Sequence, residues 1–244
     1  MFHTIFYEPI YNLLVIALTY APLHDVGISI IFVTCVVKFI LLPLNLSATR
    51  SQYALKRVEK EMADIKDSYK KNPQEASKKM MEIYKRENIN PFSSIFAVLI
   101  QIPIFLALYF VFSKGLVSDP NSLYSFLSFP EVLHNEAFGV LDVTKRSIVI
   151  ALLTGISAYV LARRQTSTMV STKQPHEETF QDHFMKSMRV QLLYVLPVII
   201  GVSAFVLPAA LGLYWTTSNL LGILQDVYIK RKFFNETKVN PLVK

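Results

Sequence analysis

Cysteine is almost absent. The single residue, Cys35, excludes an internal disulfide and a cysteine-built zinc site, and inside an apolar run it reads as a small core hydrophobe rather than a nucleophile. Charge is scarce too: 18% of the 244 residues are charged, whereas 52% are hydrophobic and 12% aromatic. Soluble domains carry about 25% charge, so a chain this apolar belongs in lipid. The five histidines, His3, His24, His134, His176 and His183, fall at no metal-ligand spacing, and the chain has no HExxH, GxSxG, phosphate-binding loop or dinucleotide fingerprint. No enzyme chemistry, cofactor or metal is expected.

What is present is a set of long apolar runs. Five approach the roughly 20 residues needed to cross a hydrocarbon core: 26–44, 91–112, 147–162, 192–207 and 209–229. The third and fourth hold 16 residues each, about 24 Å of helix against a core of about 30 Å. Either Lys145, Arg163 and Arg164 snorkel to make up the difference, or the bilayer is thin beside them.

The formal charge of +7 first suggests nucleic acid, but the cations sit in blocks between the apolar runs. Lysine and arginine number 11 in the loop 45–90, 5 in 163–189 and 5 in the tail 230–244, against 3 in 113–146 and none before the first run. The positive-inside rule therefore puts the two basic loops and the tail in the cytoplasm, and the start of the chain and the loop 113–146 outside. Sequence-specific nucleic-acid binding is not needed to explain the charge.

Before the first run, Phe2, Ile5, Phe6, Ile10, Leu13, Leu14, Ala17 and Leu18 recur at helical spacing, with His3, Tyr7, Glu8, Tyr11 and Asn12 off the stripe. This predicts an N-terminal amphipathic helix within 1–25 lying in the outer interface; a sixth span is the alternative, interrupted by Glu8, Pro9 and Asn12. In the loop 45–90, Leu55, Val58, Met62, Ile65 and Tyr69 step by three and four. Asn72-Pro73-Gln74-Glu75 then starts a second helix, whose Ala76, Met80 and Ile83 continue the seam. The two predict an antiparallel helical hairpin in the cytoplasm, either a docking arm or a solvated pair.

Lys38 is the residue with most to say. It falls in the inner half of the first run, where a lysine near a helix centre costs about 2.5–3.5 kcal/mol and needs a partner or water. Thr34 one turn before it and Asn45 two turns after make a polar stripe. Trp215, Asn219 and Asp226 make another on the fifth run, beside Thr216, Thr217, Ser218 and Gln225, and Gln101 adds an amide to the second. Such faces should meet one another rather than lipid. They could form a dry core in which Lys38 bonds Asp226 or an amide, a sealed pore, or a wet cavity open to the cytoplasm; snorkelling of Lys38 is the bland alternative.

Four stretches stand out together: Thr34-Cys35-Val36-Val37-Lys38-Phe39-Ile40-Leu41-Leu42-Pro43-Leu44, Gln101-Ile102-Pro103-Ile104-Phe105, Phe138-Gly139-Val140-Leu141-Asp142-Val143-Thr144, and Pro208-Ala209-Ala210-Leu211-Gly212-Leu213-Tyr214-Trp215 leading to Ser218-Asn219-Leu220 and Gln225. In their order and spacing they make the chain similar, over nearly its whole length, to the YidC/Oxa/Alb family of membrane protein insertases, the third stretch resembling the segment before that family's third span. The resemblance implies an all-α bundle of five transmembrane helices around a hydrophilic groove, open to cytoplasm and lipid and closed outside. Its substrate-groove residues would be Lys38, Thr34, Gln101, Trp215 and Asn219, with Gln225 and Asp226 as further groove groups or ion-pair partners. It further implies action without nucleotide on nascent membrane proteins in a bacterial cytoplasmic membrane, with the ribosome, signal recognition components and the Sec translocon as candidate partners.

The chain departs from the pattern in carrying Lys38 where bacterial relatives usually have arginine, which keeps the charge but not the planar five-donor fork. Ala158 stands where members often have an amide. A large external domain, a lipoprotein cysteine and a long carboxyl-terminal extension are all lacking, so a compact bacterial member is expected. A small transporter or channel using the intramembrane lysine, or a non-catalytic assembly scaffold, are the competing functions; the absence of an internal repeat disfavours a transporter.

Overall fold

Helices account for nearly all of the computed structural model, which describes residues 1–90, 92–114, 119–130, 135–166, 187 and 189–234. Most of the expected basic loop 163–191, the end of the tail 230–244, and His134, His176 and His183 lie outside the described residues.

A π-helical turn at His3–Tyr7 leads into α1, Glu8–Tyr20, with Pro9 in the first turn where its missing N–H costs nothing. The amphipathic expectation needs correcting on this helix. Tyr7, Tyr11 and Asn12, assigned to the polar side, are among its most buried residues, while Phe2 and Ile5 are exposed. The reason is tertiary. Tyr7 and Tyr11 stack with centroids 5.7 Å apart, and Asn12, only 1% exposed, donates to the Ser122 carbonyl at 2.8 Å and accepts from the Tyr124 N–H at 2.7 Å. Thus α1 belongs to the main core, packed on α2, Val26–Ile40, and α6, Ser93–Lys114.

Asp25 starts α2 by accepting from the Ile28 N–H at 2.9 Å. The helix does not run on to Leu44 as expected. It stops at Ile40, and α3, Leu42–Arg57, leaves at 62° with Pro43 in its first turn. Proline cannot donate within a continuing helix and its ring crowds the preceding turn, so the break falls where Leu41-Leu42-Pro43 sits. Asn45 therefore shares no straight stripe with Thr34 and Lys38.

Beyond the bend, α3 continues into α4, Glu59–Ser68, and α5, Pro73–Arg86, packs back on α4. Asn72 caps α5, accepting from the Glu75 N–H at 3.3 Å. Ala54, Val58, Ile83 and Ile89 form a small apolar core of their own. Arg86 at the end of α5 pairs with Glu61 at the start of α4, the pairing that an antiparallel run brings about.

Beyond α6 and the segment 119–130 comes a ribbon of β1, Glu136–Ala137, and β2, Leu141–Asp142, paired Glu136↔Asp142 and Ala137↔Leu141. Its three-residue connection, Phe138-Gly139-Val140, has positive φ at the first two positions, 56° and 69°, the geometry that suits a twisted hairpin. The ribbon presses on the start of α2: a Cβ on Gly27 would lie 2.4 Å from the Cβ of Ala137. The second carboxylate oxygen of Asp25 also accepts from the Phe138 N–H at 2.5 Å. Gly27→Val should lower stability by about 1–3 kcal/mol through overpacking, read as a lower thermal midpoint in detergent; an unchanged midpoint would show that the ribbon yields freely.

Three long elements complete the bundle: α7, Ile148–Thr166; a π turn at Gln191–Val195 running into α8, Leu196–Val206; and α9, Ala209–Phe234. The main-chain N–H groups of Ala209 and Ala210, orphaned at a helix start, donate to the carbonyls of Lys145 and Val143 at 2.8 and 3.0 Å. Gly212 lets α9 approach α7, since a Cβ there would come within 2.5 Å of Ile150.

The third run is not short. At 19 residues α7 is itself long and apolar enough to cross a membrane, and it extends past the expected end at Ala162. The bent pair α2–α3 also passes that test if it is one span, whereas Leu99–Ser113 and Gln191–Val206 are shorter apolar helices. Exposed side chains are the better guide to solvent. Phe96, Leu99, Ile102, Leu106 and Phe110 form one bare face of α6, and Val198, Ile199, Val202 and Phe205 are bare on α8. Apolar exposure so contiguous is what lipid, not water, tolerates.

The turn that supports α9 has its own electrostatics. The Thr144 hydroxyl donates to Asp142 at 2.6 Å and Lys145 lies 2.9 Å away, which together hold the Asp142 carboxyl down at about 2. Because the folded group is depressed, its contribution is present above the ordinary carboxylate range near 4 and is lost as pH falls through about 2. An NMR titration of Asp142 should show its midpoint there; a midpoint near 4 would mean the turn is open in solution.

Candidate functional site

Lys38 lies in the last turn of α2, half-buried, and has no hydrogen-bond or ion-pair partner among the described residues. An ammonium drawn partly out of water without a counter-charge requires water beside it. Thr34, one turn deeper, does not join it. Its side chain is 0% exposed and donates to the carbonyl of Ile30 at 2.6 Å, so it satisfies itself on its own helix.

Asp226 corrects the expectation further, for it is not the counter-ion of Lys38. It is buried on α9, where it accepts from Arg164 Nε at 2.7 Å and from the Tyr53 hydroxyl at 3.0 Å. One carboxylate thus ties α3, α7 and α9 together. Arg164 in turn is anchored on Asp226 at 2.7 Å, with about a third of its side chain still exposed.

The other expected residues are gathered around α9. Gln101 on α6 donates its amide to the hydroxyl of Tyr214 on α9. Trp215 lies flat on Phe105 of α6, with centroids 4.8 Å apart and ring planes within 5°. Asn219 donates to Ser157 Oγ on α7 at 3.1 Å, and Gln225 is half-buried with no hydrogen bond among the described residues.

Sequence reasoning missed Tyr53, Thr154, Ser157, Arg164 and Tyr214 as partners. Thr154 is the most connected, donating to the Ile150 and Gly212 carbonyls at 2.8 and 3.0 Å and meeting the Thr216 hydroxyl at 2.9 Å. The signal was present in Thr154 and Ser157, two hydroxyls three residues apart in an apolar run. Ala158 stands where an amide is expected, and its neighbour Ser157 supplies the polar contact.

A polar seam therefore runs along α9 between α6 and α7, mostly satisfied, although Ser218 and Gln225 on α9, like Lys38 on α2, have no side-chain hydrogen bond among the described residues. The family model described as "60Kd inner membrane protein" matches residues 18–237, which takes in every residue of the seam. The chain belongs to this family. Relatives named membrane protein insertase YidC include those of Clostridium tetani, 32% identical over 86% of this chain and 84% of the relative, and Fusobacterium nucleatum, 30% identical over 84% and 86%. In the longer YidC of Pseudoalteromonas atlantica, 30% identity covers 82% of this chain but 32% of the relative. The all-helical fold agrees with the YidC family, whose members are integral proteins of the bacterial inner membrane.

Proposed function

We propose that this chain inserts nascent membrane proteins into the bilayer through a hydrated groove at Lys38, without nucleotide. The observation that carries the reading is the half-buried ammonium with no partner among the described residues, while the carboxylate best placed in sequence to neutralise it, Asp226, is committed to Arg164 and Tyr53. An unpaired cation in lipid surroundings is costly, and water plus a passing acidic or polar segment relieves that cost.

On this reading the spans are 26–44, 91–112, 147–162, 192–207 and 209–229, with the first bent at Leu41 and the third carried on to Thr166 by α7, and with the start of the chain outside and the tail in the cytoplasm. Outer closure is supported by the contacts of Asn12 with the 122–124 segment, of Asp25 with Phe138, and of the 143–145 carbonyls with α9. The cation attracts the hydrophilic part of a substrate, whose apolar segment leaves along exposed faces into lipid. The ribosome, signal recognition components and a Sec translocon are the partners such a task would involve, and the α4–α5 pair is the arm that would meet them.

Thiol accessibility tests the groove. With Cys35 replaced, single cysteines at 38 and 225 should react with a water-soluble maleimide applied from the cytoplasmic side, while one at 34 stays unlabelled as a buried control. Silence at 38 and 225 would remove the water on which the reading depends. Purified protein in liposomes should also raise insertion of a small single-span substrate above that of empty liposomes.

A further inference from the structure

We infer that the junction of α7 and α9 binds the phosphate headgroup of an anionic phospholipid. At this end of the helix pair a cavity of about 360 Å³ is lined by Arg164, Val227, Lys230 and Arg231, three cations around one apolar residue. Arg164 is held in position there by its 2.7 Å contact with Asp226, so one wall of the cavity is fixed before any ligand arrives.

Two stripes choose a lipid over other anions. On α9, Leu220, Leu224, Val227 and Arg231 step by four, three and four along one face, and Leu220 and Leu224 are bare. On α7, Ile156, Val160 and Arg164 step by four, and Ile156 and Val160 are likewise exposed. Both neighbouring helices therefore run from exposed aliphatic surface to a cation lining the same cavity. That is the order of groups in an amphiphile, acyl chain and then phosphate. A free anion has no use for the aliphatic approach, and a nucleic acid would have to contact it. Tyr228, exposed one position from Val227, has the Lys232 ammonium 5.7 Å from its ring centroid, an aromatic and basic combination that suits the headgroup layer. Clustered cations near a membrane surface attract anionic lipid by an amount that is additive per charge.

The inference rests on the bilayer placement of α7 and α9 in the reading above, and not on substrate insertion. The test is made on the full chain in phosphatidylcholine nanodiscs doped with spin-labelled phosphatidylglycerol, scoring the immobilised fraction. The wild type should immobilise phosphatidylglycerol in preference to phosphatidylcholine, and Lys230→Gln/Arg231→Gln should cut that preference about tenfold. Both side chains are exposed, so the fold should persist, which an unchanged helical circular dichroism signal and thermal midpoint would verify.

Competition separates the sources: inorganic phosphate and a short RNA oligonucleotide should each displace little of the labelled lipid. No preference in the wild type, an equal preference in the double variant, or displacement by phosphate or RNA would each overturn the lipid assignment. Insertion of a substrate, measured on the same preparations, reports separately on the proposed function. Loss of either result leaves the other readable.

Discussion

Lys38→Leu should abolish most insertion activity while leaving the protein folded and at least as stable. The stability half follows from cost: a lysine at the centre of a spanning helix is unfavourable by about 2.5–3.5 kcal/mol, Lys38 in the last turn of α2 incurs a part of that, and leucine removes it without leaving a counter-charge unpaired, because Lys38 has no partner among the described residues. The activity half follows from attraction. Unit charges about 4 Å apart attract by about 1 kcal/mol in bulk water and about 4 kcal/mol at an effective dielectric near 20. A wet groove falls between these limits, so insertion of a substrate with an acidic tail should fall roughly tenfold or more. Lys38→Arg should retain activity, and a substrate with a neutral tail should suffer less. Reconstituted insertion beside thermal unfolding in detergent gives both halves. A folded Lys38→Leu protein with full activity on acidic-tailed substrates would mean that Lys38 is structural and the chain acts as a scaffold.

Arg164→Met is expected to be the most destabilising single change at the polar seam. It leaves the buried Asp226 facing only Tyr53, and breaking a buried ion pair from one side costs about 3–5 kcal/mol. The guanidinium side chain is 32% exposed, so water can partly reach the site and the loss should fall toward the lower figure. Adding Asp226→Leu to Arg164→Met should restore much of the stability, since an apolar replacement of both partners leaves no orphaned charge. Tyr53→Phe removes one hydrogen bond and should cost about 1 kcal/mol. Thermal midpoints of the three variants decide the matter: a double variant no more stable than Arg164→Met would show that the geometry, not the charge, is what Arg164 supplies.

How far the sequence could be read depends on the range of the interaction concerned. The start of α5 was legible because Asn72, Pro73 and Glu75 make a helix cap within four residues, and the cap is local chemistry. The end of α2 was misread because Leu41, Leu42 and Leu44 keep the hydropathy of a span while Pro43 breaks its geometry; an apolar run carries no record of direction. Tyr7, Tyr11 and Asn12 were assigned to the wrong face for a different reason. Asn12 bonds Ser122 and Tyr124, and Tyr11 meets the Phe129 ring edge-on, all more than 100 residues away, and periodicity measures a helix only against itself. Gln101, Trp215 and Asn219 stand out in the sequence because polar residues in spans need partners, but they do not partner one another. Their actual partners, Tyr214, Phe105 and Ser157, depend on how the helices rotate in packing. Asp226 shows the limit plainly: its charge made it conspicuous, yet only the three-dimensional arrangement decided between Lys38 and Arg164.

The way α9 begins has an electrical consequence. Its first amides are held by the carbonyls of Val143 and Lys145, main-chain atoms that every substitution at those positions retains. On the proposed topology this knot lies at the end of the molecule opposite the wet mouth, so the polar seam is a blind alley rather than a conduit. A cell could then keep its proton and sodium gradients across a membrane crowded with such proteins, even while polypeptide is being threaded in from the other side.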